Sequence, residues 1–190
     1  MNPQVKTKKQ ELLSTIMFAI IAVGIVLFIR IFIFQPFMVS GESMHPTFNN
    51  ADYLIVDEVT YRFREPMRGD VVVFRYPENP KRFFIKRVIG LPGETIIFQN
   101  NSVYIKNDEH TEPIKLSEPY ISQITIPGDK NQITISEGNY FVMGDNRGFS
   151  SDSRAWGELP EENIIGIAGL RLFPLKEIGY RPGSLQTFEK

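Results

Sequence analysis

Residues 12–34 read LLSTIMFAIIAVGIVLFIRIFIF, 23 positions with a single charge, Arg30. Coiled as a helix, this run spans about 35 Å, enough for the roughly 30 Å hydrocarbon core of a bilayer. Arg30 stands four residues from the end of the run, where a long side chain reaches the headgroups. Before it come Lys6, Lys8 and Lys9, opposed only by Glu11, and positive flanks are retained in the cytosol. The expected organisation is a cytoplasmic basic tail at 1–11, a transmembrane anchor helix at 12–34 and an extracytoplasmic domain at 36–190. A cleaved secretory signal also starts basic, but its apolar part is normally about 7–15 residues and ends in a small-x-small site. Here the run is longer and Gln35-Pro36-Phe37-Met38-Val39 follows, which favours an uncleaved anchor. A buried core helix seldom carries so long a run with lysines clustered on one flank.

The whole chain has 190 residues, 21 Lys+Arg against 22 Asp+Glu, two His and no Cys. That length suits one domain with a real core plus an appendage. Residues 36–190 carry 17 basic and 21 acidic side chains, a mildly acidic balance that argues against nucleic acid as a partner. Without Cys there is no disulfide framework, thiolate-zinc site or thiol catalysis. His45 and His110 have no spacing partner, so neither a metal nor another cofactor is expected.

Outward from the anchor the chain reads as β. Short β-branched and aromatic runs recur between turn signals at 53–56, 70–74, 83–89, 95–98, 103–105, 132–135, 140–143 and 164–172. Asn100-Asn101 suits a hairpin turn, and Gly90-Leu91-Pro92-Gly93 punctuates another pair of strands. The stretch 107–138 is more polar and is expected as a peripheral excursion. The fold class is mainly β, with antiparallel sheets folded on one another or partly closed, preceded by one transmembrane helix.

Familiar catalytic signatures are missing. There is no H-E-x-x-H zinc pattern, no G-x-S-x-G elbow, since His45 stands where the second Gly belongs, and no Ser with Lys three positions on. What remains is a Ser with a distant base. Ser43 sits among turn-forming residues in Val39-Ser40-Gly41-Glu42-Ser43-Met44-His45-Pro46-Thr47, although most Ser in such loops only cap turns. In Phe83-Phe84-Ile85-Lys86-Arg87-Val88-Ile89, a strand would put Phe84, Lys86 and Val88 on one face and Ile85, Arg87 and Ile89 on the other. Both faces are apolar around the charges, and a desolvated Lys loses its preference for the charged form. A neutral Lys86 is able to take a Ser proton, whereas Arg87 never deprotonates. The competing reading, a strand-edge Lys with its head in water, is at least as good from this segment alone. His45 is too near Ser43 in the chain to face it and is expected to be structural or exposed. Asp145, Arg147, Asp152 and Arg154 crowd the stretch 144–154, either as a solvated loop or as a polar network behind an active site. Spacing does not decide.

Together these segments resemble bacterial type I signal peptidases, in the family's order and over nearly the whole chain. The resemblance rests on the anchor, Ser43-Met44-His45-Pro46-Thr47, Arg68-Gly69-Asp70-Val71-Val72-Val73-Phe74, Phe84 to Glu94, and Gly144-Asp145-Asn146-Arg147 with Ser150, Asp152, Ser153 and Arg154. A single anchor and compact outer domain look like the short Gram-positive form. The resemblance implies that Ser43 is the nucleophile and Lys86 the general base, that Ser150 orients the Lys, and that Asp145, Asp152 and Arg154 support them. It implies cleavage of signal peptides after small-x-small residues in exported precursors. Where some members place an oxyanion-hole Ser two residues before the nucleophile, this chain has Gly41, so the Ser43 N–H is expected to share that role with a Gly41 N–H or water.

Seven residues separate Pro36 from Ser43, at most about 23 Å of extended chain, which places the nucleophile near the outer membrane surface. Val39, Met44, Phe84 and Ile85 are expected to contact substrate, and Phe37 and Met38 to rest on lipid or line the groove. Two alternatives stand beside the protease: a non-catalytic membrane-anchored precursor-binding module, and a self-cleaving Ser-Lys regulator. The latter needs a cleavable internal linker and is usually soluble, so the anchor disfavours it.

Overall fold

The structure, a computed structural model, describes residues 8–32, 34–109, 111–121 and 132–183, with the side chains of 27–34 left out. His110 and the Arg30 side chain therefore lie outside the described residues. The apolar run forms α1, Lys8–Phe32. It starts four residues before the expected anchor because Lys8-Lys9-Gln10-Glu11 are good helix formers. Its large apolar side chains between Leu12 and Val26 are exposed, and it is long and apolar enough to cross a membrane.

Phe34, expected as the last anchor residue, instead opens β1 (Phe34–Met38). This strand pairs antiparallel with β2 (Tyr53–Asp57). Its Pro36 lacks an N–H but costs little, since β1 is a sheet edge. Next come β3 (Val71–Tyr76) and β4 (Asn79–Gly90), then β5 (Thr95–Gln99) and β6 (Ser102–Lys106). Two short strands, β7 (Ile114–Lys115) and β8 (Gln132–Thr134), lie within the polar stretch. They are followed by β9 (Asn139–Met143), the one-turn α2 (Ser153–Trp156), β10 (Leu159–Pro160), β11 (Ile164–Phe173) and β12 (Gly179–Tyr180). The eight-stranded sheet has the order β1-β2-β11-β3-β4-β9-β10, with β12 on β11, and the second sheet has the order β7-β6-β5-β8. All pairs are antiparallel, and the sheets are not closed. Asn100 and Asn101 both take positive φ, 50° and 58°, the conformation a two-residue hairpin needs.

Burial follows the strand period. Val71 faces a core with Val39, Met44, Phe48, Leu54 and Ala168. Its neighbours Val72 and Phe74 face the opposite core with Val88, Tyr140, Val142 and Leu159. β3 and the second half of β4 are thus buried on both sides. A third core, with Ile89, Phe141 and Met143 from the large sheet, Ile96, Val103 and Ile105 from the small one, and Leu116 and Ile135 just past β7 and β8, joins the two sheets. Each such side chain contributes about 1.5–3 kcal/mol on burial, so the centre of β4 is held rigidly where Lys86 and Arg87 lie.

Candidate active site

The turn after β1 is nailed down from below. Met44 and Phe48 are buried, His45 N–H donates to Glu42 O at 3.1 Å and Phe48 N–H to Met44 O at 2.9 Å. Gly41 makes the chain's entry into this turn with φ +97° and open space around its Cα, so it is required for conformation and not for packing. Burying Met44 and Phe48 turns Ser43 the other way, into a groove of about 280 Å³.

Lys86 reaches Ser43 from β4. Its Nζ lies 2.8 Å from Ser43 Oγ and donates to Ile85 O at 2.9 Å. The side chain is only 4 % exposed. Burial pulls its pKa down from 10.5 to about 8, against the opposing pull of Asp152 and Asp145. The exposed alternative for this lysine does not occur. His45 is exposed and stands apart from the pair, as expected.

Arg87, on the other face of β4, has its guanidinium fully buried and binds Asp145 in bidentate fashion, Nε to Oδ1 at 2.8 Å and Nη2 to Oδ2 at 2.6 Å. Nη1 donates to Gly69 O at 2.9 Å and Gly183 O at 2.5 Å, and Thr47 Oγ1 donates to Asp145 Oδ2 at 2.5 Å. Arg154 grips Asp152 with Nε and Nη2, each at 2.8 Å, while Gly144 N–H donates to Asp152 Oδ2 at 2.9 Å. Burial alone would raise the Asp152 pKa, but the Arg154 guanidinium and the Gly144 N–H outweigh it and hold the carboxyl below its ordinary range. The charged side chains of the crowded stretch 144–154 therefore form a buried network, although Phe149 and Ser151 between them are exposed.

Ser150 Oγ is buried in this network, where it faces the Asp152 carboxylate and helps hold it below its ordinary range, and it makes no hydrogen bond to Lys86. A Cβ on Gly144 would fall 2.3 Å from that Oγ and 2.4 Å from Ser43 O, so a glycine there lets the strand end pass directly behind Ser43. Gly41 N–H, expected beside water as a second oxyanion donor, donates to Asn50 Oδ1 at 2.9 Å. Ser43 N–H has no acceptor among the described residues and remains available. Val39, Phe84 and Ile85 line the groove with Phe37, Met38, Leu54, Val73, Phe83, Phe149 and Ser151. Met44 does not; its side chain is 1 % exposed in the core beneath the turn.

Sequence reasoning missed Asn146. Its N–H donates to Ser43 O at 3.0 Å and its Nδ2 to Glu42 O at 3.1 Å, clamping the Ser43 turn to the end of β9. Its place between Asp145 and Arg147 was the only available hint. Glu118 and Tyr120, which meet the buried arginines, were also missed and carried no local signal.

The arrangement pairs a hydroxyl with a buried amine beside a mostly apolar groove. The family model described as signal peptidase, peptidase S26, matches residues 12–173. The probable signal peptidase I-1 of Synechocystis is 36% identical over 94% of this chain and 91% of its own. Signal peptidase I P of Bacillus subtilis subsp. natto is 36% identical over 91% of this chain and 95% of its own. A crystal structure of a signal peptidase I from Enterococcus faecalis V583 is 32% identical, with a TM-score of 0.45, over 55% of this chain and 97% of its own. The chain belongs to the signal peptidase family, whose members are serine endopeptidases that remove signal peptides.

Proposed function

We propose that the chain removes signal peptides by a Ser43-Lys86 dyad. The single observation that carries this is the 2.8 Å approach of Lys86 Nζ to Ser43 Oγ inside an environment that brings the lysine's pKa to about 8. At the pH of the outer cell surface a useful fraction of Lys86 is neutral. Its lone pair takes the Ser43 proton as Oγ attacks the carbonyl after the signal's last small residue. Ser43 N–H stabilises the oxyanion, Lys86 returns the proton to the leaving amine, and water hydrolyses the acyl-enzyme. Each of these steps is assigned to the chain's own groups and water.

The groove supports an extended substrate. β9 pairs with β4 only from Arg87 to Gly90, leaving the backbone edge of 83–86 on that side open to an added strand. Val39, Leu54, Val73 and Ile85 supply apolar walls for small side chains. The basic tail stays in the cytosol, α1 crosses the cytoplasmic membrane, and the β domain works at its outer surface, where an exported precursor's signal ends. Asp145, Asp152 and Arg154 hold the platform, and Ser150 belongs to it through Asp152, so that it orients the amine through that network and not by a direct bond.

The test is incubation of the purified full chain, in detergent or lipid, with an exported precursor, followed by sequencing of the new N-terminus. Cleavage after a small-x-small site is expected, lost in Ser43→Ala, Lys86→Ala and Lys86→Arg, with an acid limb near pH 8 in the pH–rate profile. Processing by Lys86→Arg at near wild-type rate overturns the general-base role. Absence of cleavage in both detergent and lipid favours the precursor-binding alternative.

A further inference from the structure

We infer that Glu118 and Tyr120, in the segment leaving the small sheet, are positioning residues for the reaction at Ser43 and Lys86. The inference rests on the dyad proposed above. It starts from two guanidinium groups, Arg87 and Arg147, whose side chains are both 0 % exposed. A buried cation that loses its partner costs several kcal/mol, so what neutralises and covers each one fixes where the neighbouring backbone sits.

Arg87 has all its in-plane donors engaged by Asp145, Gly69, Gly183 and Thr47. Its flat face is covered by the Tyr120 ring, with 4.0 Å between guanidinium carbon and ring centroid. Arg147 donates through Nε to Gly144 O at 3.1 Å. Its two terminal nitrogens both go to the Glu118 carboxylate. Tyr120 Oη donates to the same carboxylate at 2.9 Å, so the two residues act as one unit.

The root of this unit is firm. Leu116 N–H donates to Val103 O at 2.8 Å, Ile121 N–H to Glu118 O at 3.3 Å, and Leu116 is buried in the core that joins the sheets. From there the unit bears on Arg87, one residue from Lys86, and on Arg147, one residue from the Asn146 that clamps the Ser43 turn. The polar stretch that the sequence presents as a peripheral excursion thus reaches both halves of the dyad through two arginines. Neither Glu118 nor Tyr120 lines the groove, so their influence falls on the chemical step and not on binding.

The experiment measures kcat and KM of the full chain on a precursor peptide, alongside thermal midpoints. Glu118→Gln keeps shape and removes charge; Tyr120→Leu removes the ring; Tyr120→Phe keeps the ring and removes only the hydroxyl. Folded Glu118→Gln and Tyr120→Leu are expected to lose roughly 10–100-fold in kcat with KM within about twofold, and Tyr120→Phe to recover most of the loss. Wild-type kcat in both folded variants overturns the inference, as does a raised KM with unchanged kcat. Tyr120→Phe as impaired as Tyr120→Leu also overturns it. If Glu118→Gln does not fold, the Tyr120 pair, which alters no charge, decides alone. Ser43→Ala run in parallel separates the two claims: residual activity there refutes the dyad, whereas an inactive Ser43→Ala beside unimpaired Glu118 and Tyr120 variants refutes only the positioning role.

Discussion

Replacing Lys86 by methionine should destroy activity and change stability in a pH-dependent way that the structure specifies. The buried amine releases its proton at about 8 in the folded chain, against 10.5 for an unhindered lysine. At about 1.4 kcal/mol per pH unit, holding the charged form in this site costs about 3 kcal/mol at pH 7. Between pH 8 and 10.5 the unfolded chain holds more protons than the folded one, so wild-type stability rises with pH across that window. The methionine side chain carries no charge and pays no such penalty, while its similar length keeps the space filled. It does forfeit the bonds to Ser43 Oγ and Ile85 O, each worth about 1 kcal/mol. Lys86→Met is therefore expected to be more stable than wild type by about 1 kcal/mol at pH 7. That gap should swing by about 3 kcal/mol in favour of wild type by pH 10.5. The assay is denaturant unfolding of both proteins in one detergent from pH 7 to 10.5. The difference between the two curves cancels every other titrating group. A stability difference that does not change with pH, or one that moves in favour of the methionine variant as pH rises, refutes burial as the cause of the lysine's shifted proton affinity.

Asp145→Asn leaves the Arg87 guanidinium buried without its carboxylate and should cost about 3–5 kcal/mol, read as a lowered unfolding midpoint; a loss under about 1 kcal/mol contradicts a tight ion pair. Arg154→Met removes the cation that occupies Asp152, leaving that carboxylate free to favour the Lys86 ammonium. The acid limb of the pH–rate profile should then move up by about one pH unit; an unchanged or lower limb contradicts the coupling.

The strands were legible wherever local chemistry agreed with the fold. The runs at 53–56, 83–89, 95–98 and 140–143 lie inside β2, β4, β5 and β9, because β-branched and aromatic residues there meet a core on at least one face. β1 was not legible, since Pro36 reads as a break and only pairing with β2 makes it a strand. β7, β10 and β12 are two residues each, too short for any period to show. The roles proposed for Ser43 and Lys86 come from the order of motifs; the lysine's burial depends on a turn 43 residues away and no window around it reports that. Glu118 lies 29 residues from Arg147, and its neighbourhood reads as an ordinary polar loop. The Asn50 bond that occupies Gly41 N–H was equally invisible, because a side chain nine residues on competes for a donor that the motif alone leaves free.

The distribution of charge around Ser43 accounts for how Lys86 escapes a direct ion pair beside two carboxylates, as the proposed general base must. Asp145 and Asp152 are both buried and both act to keep Lys86 charged. A direct carboxylate–ammonium bond would be favourable for folding and would leave no lone pair for catalysis. Guanidinium groups win that competition on geometry, since their fork matches both carboxylate oxygens at once. Arg87 takes both oxygens of Asp145, and Arg154 takes both of Asp152. Lys86 is left with neutral partners, the Ser43 hydroxyl and the Ile85 carbonyl, neither of which stabilises the ammonium as a carboxylate would. The arginines thus do two things at once. They neutralise the carboxylates that fix Gly144 and the strand behind Ser43, and they keep those same carboxylates off the amine, so that burial rather than ion pairing sets the lysine's proton affinity.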